Sequence, residues 1–427
     1  MDSVQRDVGF IELLRINPKF RKYWIALSIS LLGEWFNTVA LFVLVESMTN
    51  SELAIGAIFI LRMFALAIPQ IFTGVLADRY SRKWLMVFAN VASALLVMLL
   101  FLVDTPSDVW LVYFVSAGLM VFHAVYVPAE NAALPNLVEE DQLLTANALN
   151  SATWSASLAI GASLGGLVVS EWGVEVAFIV DAATFALAAI VIATMSIPQN
   201  IPEPDGTSFW RTGLNDIAQG WKIIRSRAEV SRIIVAKALW SISGGGLVFM
   251  LILIGSQGHF GEVAAGIGIL FAARGIGTGI GPLLARYAFT ERSTWPLLLG
   301  LLVSTCGLAY LVIGLIEWNF WIVIVVILGH AASGANWVLS TVLLQERSED
   351  EWRGRMFATD FFLMTSVHGF STLVASLLLE NTDITLRQAV ILFSAVQIIV
   401  GLIWLLMTRK GEREYYLNVS KGRGAIA

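Results

Sequence analysis

The side chain best placed for chemistry in this sequence is Glu34, an acid set in the apolar stretch 23-48. It stands 11 residues into that stretch, about 16 Å along a helix rising 1.5 Å per residue, so near the midplane of a bilayer that the stretch crosses. A charged carboxylate is costly at that depth, and an acid that takes up and releases protons as its access to water changes can serve as a carrier. Ser30, Glu34, Asn37 and Thr38 recur at steps of three and four, which gathers them on one polar face turned to an interior cavity rather than to lipid. Arg62 lies nine residues into the next stretch at similar depth, and a bond to it would hold Glu34 charged and unable to cycle. Both roles, proton carrier and structural partner of Arg62, are open to Glu34.

Other polar residues offer less. Asp181 and Arg274 are further charges inside apolar stretches, suited to a lock or to contact with an ionic substrate. The four histidines, 123, 259, 330 and 368, lack metal-ligand spacing, and no serine has a nucleophile-elbow context. The run Gly275-Ile-Gly277-Thr-Gly279-Ile-Gly281 lacks the strand-and-helix setting of a nucleotide fingerprint, and there is no phosphate loop of a transport ATPase. Cys306 is alone, so it has no disulfide partner and reads as a small core residue. The expectation is no catalysis, no metal and no cofactor, with any uphill work driven by a gradient.

The elements that must position these residues follow from composition. Of 427 residues, 57% are apolar and 14% charged, with a mean hydropathy of +0.76, far from the roughly 25% charge of soluble domains. Runs of about 20 apolar residues place spans near 23-48, 53-77, 84-103, 109-129, 149-170, 175-196, 233-256, 262-286, 295-316, 319-342, 357-379 and 386-408. The net charge is -5, but the signs are segregated. Arg62 and Arg274 fall within spans and Arg387 on one side; the other Lys and Arg, with Lys237 counted near a helix end, lie opposite. By the positive-inside rule that side is cytoplasmic and both termini lie there. The charged first segment carries no signal-peptide pattern, so the first span is expected to direct insertion.

The chain divides into residues 1-196, a linker 197-232, residues 233-408 and a cytoplasmic tail 409-427. Within the linker, Trp210, Leu214, Ile217, Trp221 and Ile224 share one face opposite Arg211, Lys222 and Arg225, the pattern of a helix lying on the inner leaflet. The two six-span halves echo each other. Gly74-Val-Leu-Ala-Asp-Arg79-Tyr80 returns as Gly281-Pro-Leu-Leu-Ala-Arg286-Tyr287, and the acidic loop Pro135 to Asp141 as Gln345 to Glu351, at offsets of 207 and 210. Six spans per half give a parallel repeat. Gly161 with Gly165, and Gly277 with Gly281, are spaced for close helix contact.

Gly74-Val-Leu-Ala-Asp78-Arg79-Tyr-Ser-Arg82-Lys83 resembles the loop between the second and third spans of the major facilitator superfamily. Three further segments are similar to its branch of siderophore and macrolide exporters: Asn17 to Trp24 leading to Leu32-Gly33-Glu34-Trp35, Pro128-Ala129-Glu130 through Ala146-Asn147, and Arg353-Gly354-Arg355-Met356. Ser81 replaces the motif's usual glycine, Ala162 replaces the proline of the fifth-span antiporter motif, and span four has no arginine, leaving His123 as its basic-capable residue.

The resemblance implies an all-α membrane protein of twelve helices in two bundles related by a pseudo-two-fold axis. It places spans one, four, seven and ten around the cavity, so His123, Trp240, His330, Asn336 and Trp337 join Ser30 and Asn37 as lining candidates, each open also to a packing or interface role. It assigns Gly74, Asp78, Arg79, Arg82, Lys83 and Glu130 to a cytoplasmic gate in which Asp78 faces the start of the eleventh helix and Arg82 pairs with Glu130. The expected activity is export of a lipophilic or amphipathic small molecule by alternating access with proton antiport, in the cytoplasmic membrane, as a monomer whose partners are substrate, protons and lipid, without nucleic acid. Proton-coupled uptake, an uncoupled lipid flippase or facilitator, and a receptor without flux are the competing readings.

Overall fold

The computed structural model describes residues 8–49, 51–199, 209–289 and 291–420. The elements are α1 (Phe10–Ile16), α2 (Pro18–Thr49), α3 (Glu52–Arg79), α4 (Arg82–Val97), α5 (Val109–Ala133), α6 (Leu143–Trp172), α7 (Val174–Ala193), α8 (Phe209–Ser226), α9 (Ala228–Gln257), α10 (Val263–Ala288), α11 (Trp295–Leu315), α12 (Trp321–Glu346), α13 (Asp350–Asn381) and α14 (Leu386–Ser420). Twelve of them, α2 to α7 and α9 to α14, are long and apolar enough to cross a membrane, and they match the expected spans in number and order. Helices are the form such stretches must take, because in hydrocarbon each backbone N–H and C=O needs a partner within the segment. Pro69, Pro128 and Pro282 stand inside three of them, tolerated where neighbouring groups meet the freed carbonyls. Outward faces are apolar as well: on α14, Leu402, Ile403, Leu406 and Met407 are exposed while Trp404 is buried, which suits a lipid solvent.

The helices form two compact units, one of Met1–Asn50, Ala65–Leu214 and Glu262–Gly268, the other of Ser51–Phe64, Asn215–Gly261 and Ile269–Ala427. In the first, α2 packs on α6 and α7, and α4 packs on α5 and α7. In the second, α9 packs on α13 and α14, and α11 packs on α12 and α14. With spans counted one to six in each half, the partners are the same: one with five and six, three with four and six. The sequence echo therefore has a packing counterpart.

Close approach is set by small residues. A side chain at Gly165 would come within 3.0 Å of the Phe36 backbone on α2, and one at Gly277 within 2.8 Å of the His330 Cβ on α12. Glycine lets these backbones touch.

Two boundaries differ from expectation. A short helix, α1, precedes the first span, and Asn17 separates them: its Oδ1 accepts the Phe20 amide at 2.9 Å, with Pro18 at the first helical position, while its Nδ2 donates to the Leu137 carbonyl at 2.9 Å. At the other end, α14 continues through the expected tail as far as Ser420. Glu412 is buried there, accepting from Arg232 at 2.5 Å and from Arg347 at 2.6 Å, and Arg347 lies over the Tyr415 ring at 4.4 Å.

The linker helix α8 forms as its periodicity predicts, and it packs through its small residues together with Trp210, whose ring centre is 4.6 Å from that of Phe72. Gly213 lies against Phe72 in the first unit and Gly220 against the Arg355 backbone and Thr359 in the second. Trp210 and Leu214 are exposed, whereas Ile224 is buried. The linker residues Pro202, Pro204, Asp205 and Gly206 lie outside the described residues.

Candidate functional site

In the first unit, Glu34 stands midway along α2, and its carboxylate Oε2 lies 4.0 Å from Nδ1 of His123 on α5. Roughly a quarter of the Glu34 side chain and a third of the His123 side chain remain accessible. An acid and an imidazole at this separation are not in direct hydrogen-bond contact and can pass a proton through one bridging water.

The rest of the polar face of α2 is occupied by packing. Ser30 Oγ donates to Asn90 Oδ1 on α4 at 3.4 Å, and Asn37 Nδ2 donates to the fully buried Asp181 on α7 at 2.6 Å. Thr38 donates to the backbone carbonyl of Glu34 at 2.8 Å. Ser30 and Asn37, expected as cavity lining, thus join α2 to α4 and α7, and Asp181 has a structural donor. Arg62, buried in α3, belongs to the second unit.

The gate segment closes α3 and opens α4. Gly74 is exposed, Arg79 ends α3, and Arg82 and Lys83 begin α4; the side chain of Asp78 lies outside the described residues. Arg82 does not take up the expected pair with Glu130. Its Nη1 donates to the Ala132 carbonyl at 2.7 Å and its Nε to the Ala77 carbonyl at 3.3 Å. Glu130 instead accepts the hydroxyl of Tyr23, which in turn accepts from Asn150 Nδ2 at 2.7 Å. The reason is position: Arg82 reaches the end of α5, where free carbonyls attract a cation, while Glu130 lies inward beside α2.

Gln199 completes this corner. Its Oε1 accepts the Arg82 amide at 2.9 Å and its Nε2 donates to the Tyr80 carbonyl at 3.0 Å. A side-chain amide after the last span of a half carries no sequence signal of such a role.

In the second unit, three lining candidates do come together. Trp240, Asn336 and Trp337 share a small cleft with Lys237, Ser333 and Ser340. Lys237 Nζ bonds Asp360 Oδ2 at 2.6 Å, both side chains nearly sealed, and lies 4.7 Å from the centre of the Trp337 ring. This pair was missed. In the sequence Lys237 reads as a cytoplasmic base near a helix end, and Asp360 sits only three residues inside the expected eleventh span, where an acid reads as a boundary residue. His330 lies apart from that cleft, with Nε2 2.9 Å from the Tyr310 hydroxyl, and His368 is tilted against Trp240 at 6.0 Å between ring centres. No group of three or more His, Cys, Asp or Glu suited to a metal occurs among the described residues.

Comparison with known proteins agrees with this architecture. The family model for the Major Facilitator Superfamily matches residues 23–372. The chain is 23% identical to Macrolide efflux protein A of Streptococcus pyogenes over 86% of this chain and 90% of that protein. It is 28% identical to the Enterobactin exporter EntS of Shigella boydii over 81% and 82%. Among solved structures, a POT family transporter in complex with 5-aminolevulinic acid superposes with a TM-score of 0.72 at 11% identity, covering 96% of this chain and 99% of that one. A bacterial homolog of the human lysosomal transporter Spinster gives 0.66 at 14% identity, covering 92% and 96%. At such identities the structures establish the fold alone.

Proposed function

The chain belongs to the Major Facilitator Superfamily and is a multi-pass secondary transporter rather than an enzyme; from that premise we propose that it exports a lipophilic or amphipathic small molecule, drug- or siderophore-like, in exchange for protons. The observation that carries the coupling is Glu34, midway along α2, facing His123 on α5 at 4.0 Å and still accessible. Efflux proteins among the relatives support the outward direction.

In this cycle Glu34 is protonated from outside, the protein opens inward, and substrate displaces the proton before the return. His123 receives or relays that proton. The segment Gly74, Asp78, Arg79, Arg82 and Lys83, with Glu130, acts as the cytoplasmic latch and biases the outward-open state by about 1–3 kcal/mol, typical of coupled equilibria. The division is two six-span halves, 1-196 and 233-408, joined by the linker 197-232. The chain works as a monomer in the cytoplasmic membrane, with both termini inside, a topology that the distribution of Lys and Arg supports.

The test begins by profiling metabolites in cells with and without the protein to find the retained compound. Labelled, that compound should accumulate in inverted vesicles when their interior is acidified, and Glu34→Gln should remove the response. Accumulation that persists after collapse of the proton gradient would overturn antiport.

A further inference from the structure

Arg274 lies on the transmembrane helix α10, close to its middle, and carries a charge that the transport cycle above does not use. Among the described residues its Nε is buried without a hydrogen-bond partner. Among the described residues, Tyr310, His330 and His368 interact with it electrostatically, and none of these is a carboxylate. Its guanidinium carbon stands 5.5 Å from the centre of the Phe271 ring.

A guanidinium held at this depth without an anion is expensive, and such charges persist where they meet a counter-charge or a substrate. Tyr310 and His330 do not supply the counter-charge: a phenol and an imidazole, here paired with each other at 2.9 Å, are not anions. Aromatic rings are close by: Phe271 against Arg274, and His368, which interacts with Arg274 electrostatically, tilted at 39° to the Trp240 ring. Arginine binds a carboxylate through two parallel N–H donors, and aromatic faces accept a flat ring.

Resting on the export reading for its setting, we propose that Arg274, backed by His330, Tyr310 and His368, is the anion-recognition point of the second unit, and that it takes the carboxylate of an aromatic organic acid. The missing partner of the guanidinium is the substrate's own charge.

Salicylate and salicylamide test this, because they share a ring and hydroxyl and differ in one charge. Thermal unfolding of the full-length protein in detergent is followed as each is titrated, with acetate as a ringless anion. Salicylate should raise the Tm of the native protein in a saturable way, salicylamide and acetate should not, and Arg274→Gln should remove the shift while Arg274→Lys retains part of it. Equal protection by salicylamide or acetate, no protection by salicylate, or full protection in Arg274→Gln overturns the proposal.

If Arg274→Gln does not fold, phenylglyoxal modification of the native protein, mapped by mass spectrometry, gives the same decision. Salicylate must slow labelling of Arg274 and salicylamide must not; equal slowing or none overturns the site. These are binding measurements without a proton gradient, so their failure leaves antiport standing, and a failure of antiport leaves them unaffected.

Discussion

The amine of Lys237 on α9 meets the carboxylate of Asp360 on α13 at 2.6 Å, with both side chains nearly sealed within the second unit. α9 and α13 are the seventh and eleventh spans, one of the packing pairs that each half repeats, so the bond fastens a core contact. Removing one partner of such a pair strands a charge. Asp360→Asn should therefore destabilise the protein by about 3–5 kcal/mol, whereas joint replacement by Met and Leu should come out near neutral. Unfolding of the native protein and the two variants in detergent micelles decides, and an unfoldable double variant beside a stable Asp360→Asn would contradict the ranking.

The partner of Glu130 is open to a double-mutant cycle. Tyr23→Phe and Glu130→Gln should couple by about 0.5–3 kcal/mol, as residues in contact do. Arg82→Ala and Glu130→Gln should be additive within about 0.5 kcal/mol, because Arg82 binds carbonyls of Ala77 and Ala132 instead. Strong coupling of Arg82 to Glu130 would show that the resemblance described the pair better than this conformation does.

The polar face of α2 divides into coupling and packing positions. Glu34→Gln should fold normally yet lose gradient-driven flux. Asn37→Ala should instead lose stability by about 1.5–3 kcal/mol, since it removes a donor from the buried Asp181 carboxylate. Ser30→Ala should do little to either. Thermal melts and vesicle flux measured on all three separate the roles, and normal gradient response in Glu34→Gln would remove Glu34 from the proton path.

The glycine contact between α6 and α2 predicts a steric penalty. Gly165→Leu should cost about 1–3 kcal/mol or more, as overpacked cores do, because the Phe36 backbone already lies within 3.0 Å of a Cβ at that position. Gly74→Leu, where nothing stands within 4 Å, should leave stability unchanged. Comparable Tm losses in the two would argue against close packing at Gly165.

Span number, order and the half-chain repeat were legible in the sequence because membrane burial demands about 20 apolar residues each time and both halves obey the same rule. The sites were legible only in part. Trp240 of span seven and Asn336 and Trp337 of span ten, lining candidates by resemblance, line one small cleft, but periodicity alone cannot say which polar side chain bonds a neighbouring helix. That is why Ser30 and Asn37 read as lining and proved to meet Asn90 and Asp181. Lys237, Asp360 and Glu412 were hidden for a different reason: hydropathy scans treat charge near a span end as solvated, and only the fold reveals that these charges meet counter-charges instead.

The division of α3 bears on how the protein is made. Its first part, through Phe64, packs with the second unit, and its remainder with the first. During synthesis the leading turns of this helix emerge 164 residues before α9 begins (228 − 64) and 356 before α14 ends (420 − 64). A nascent chain halted after α7 should therefore hold an unfinished second span, accessible to lipid and to insertion chaperones, and the early half completes its assembly only when the late half arrives.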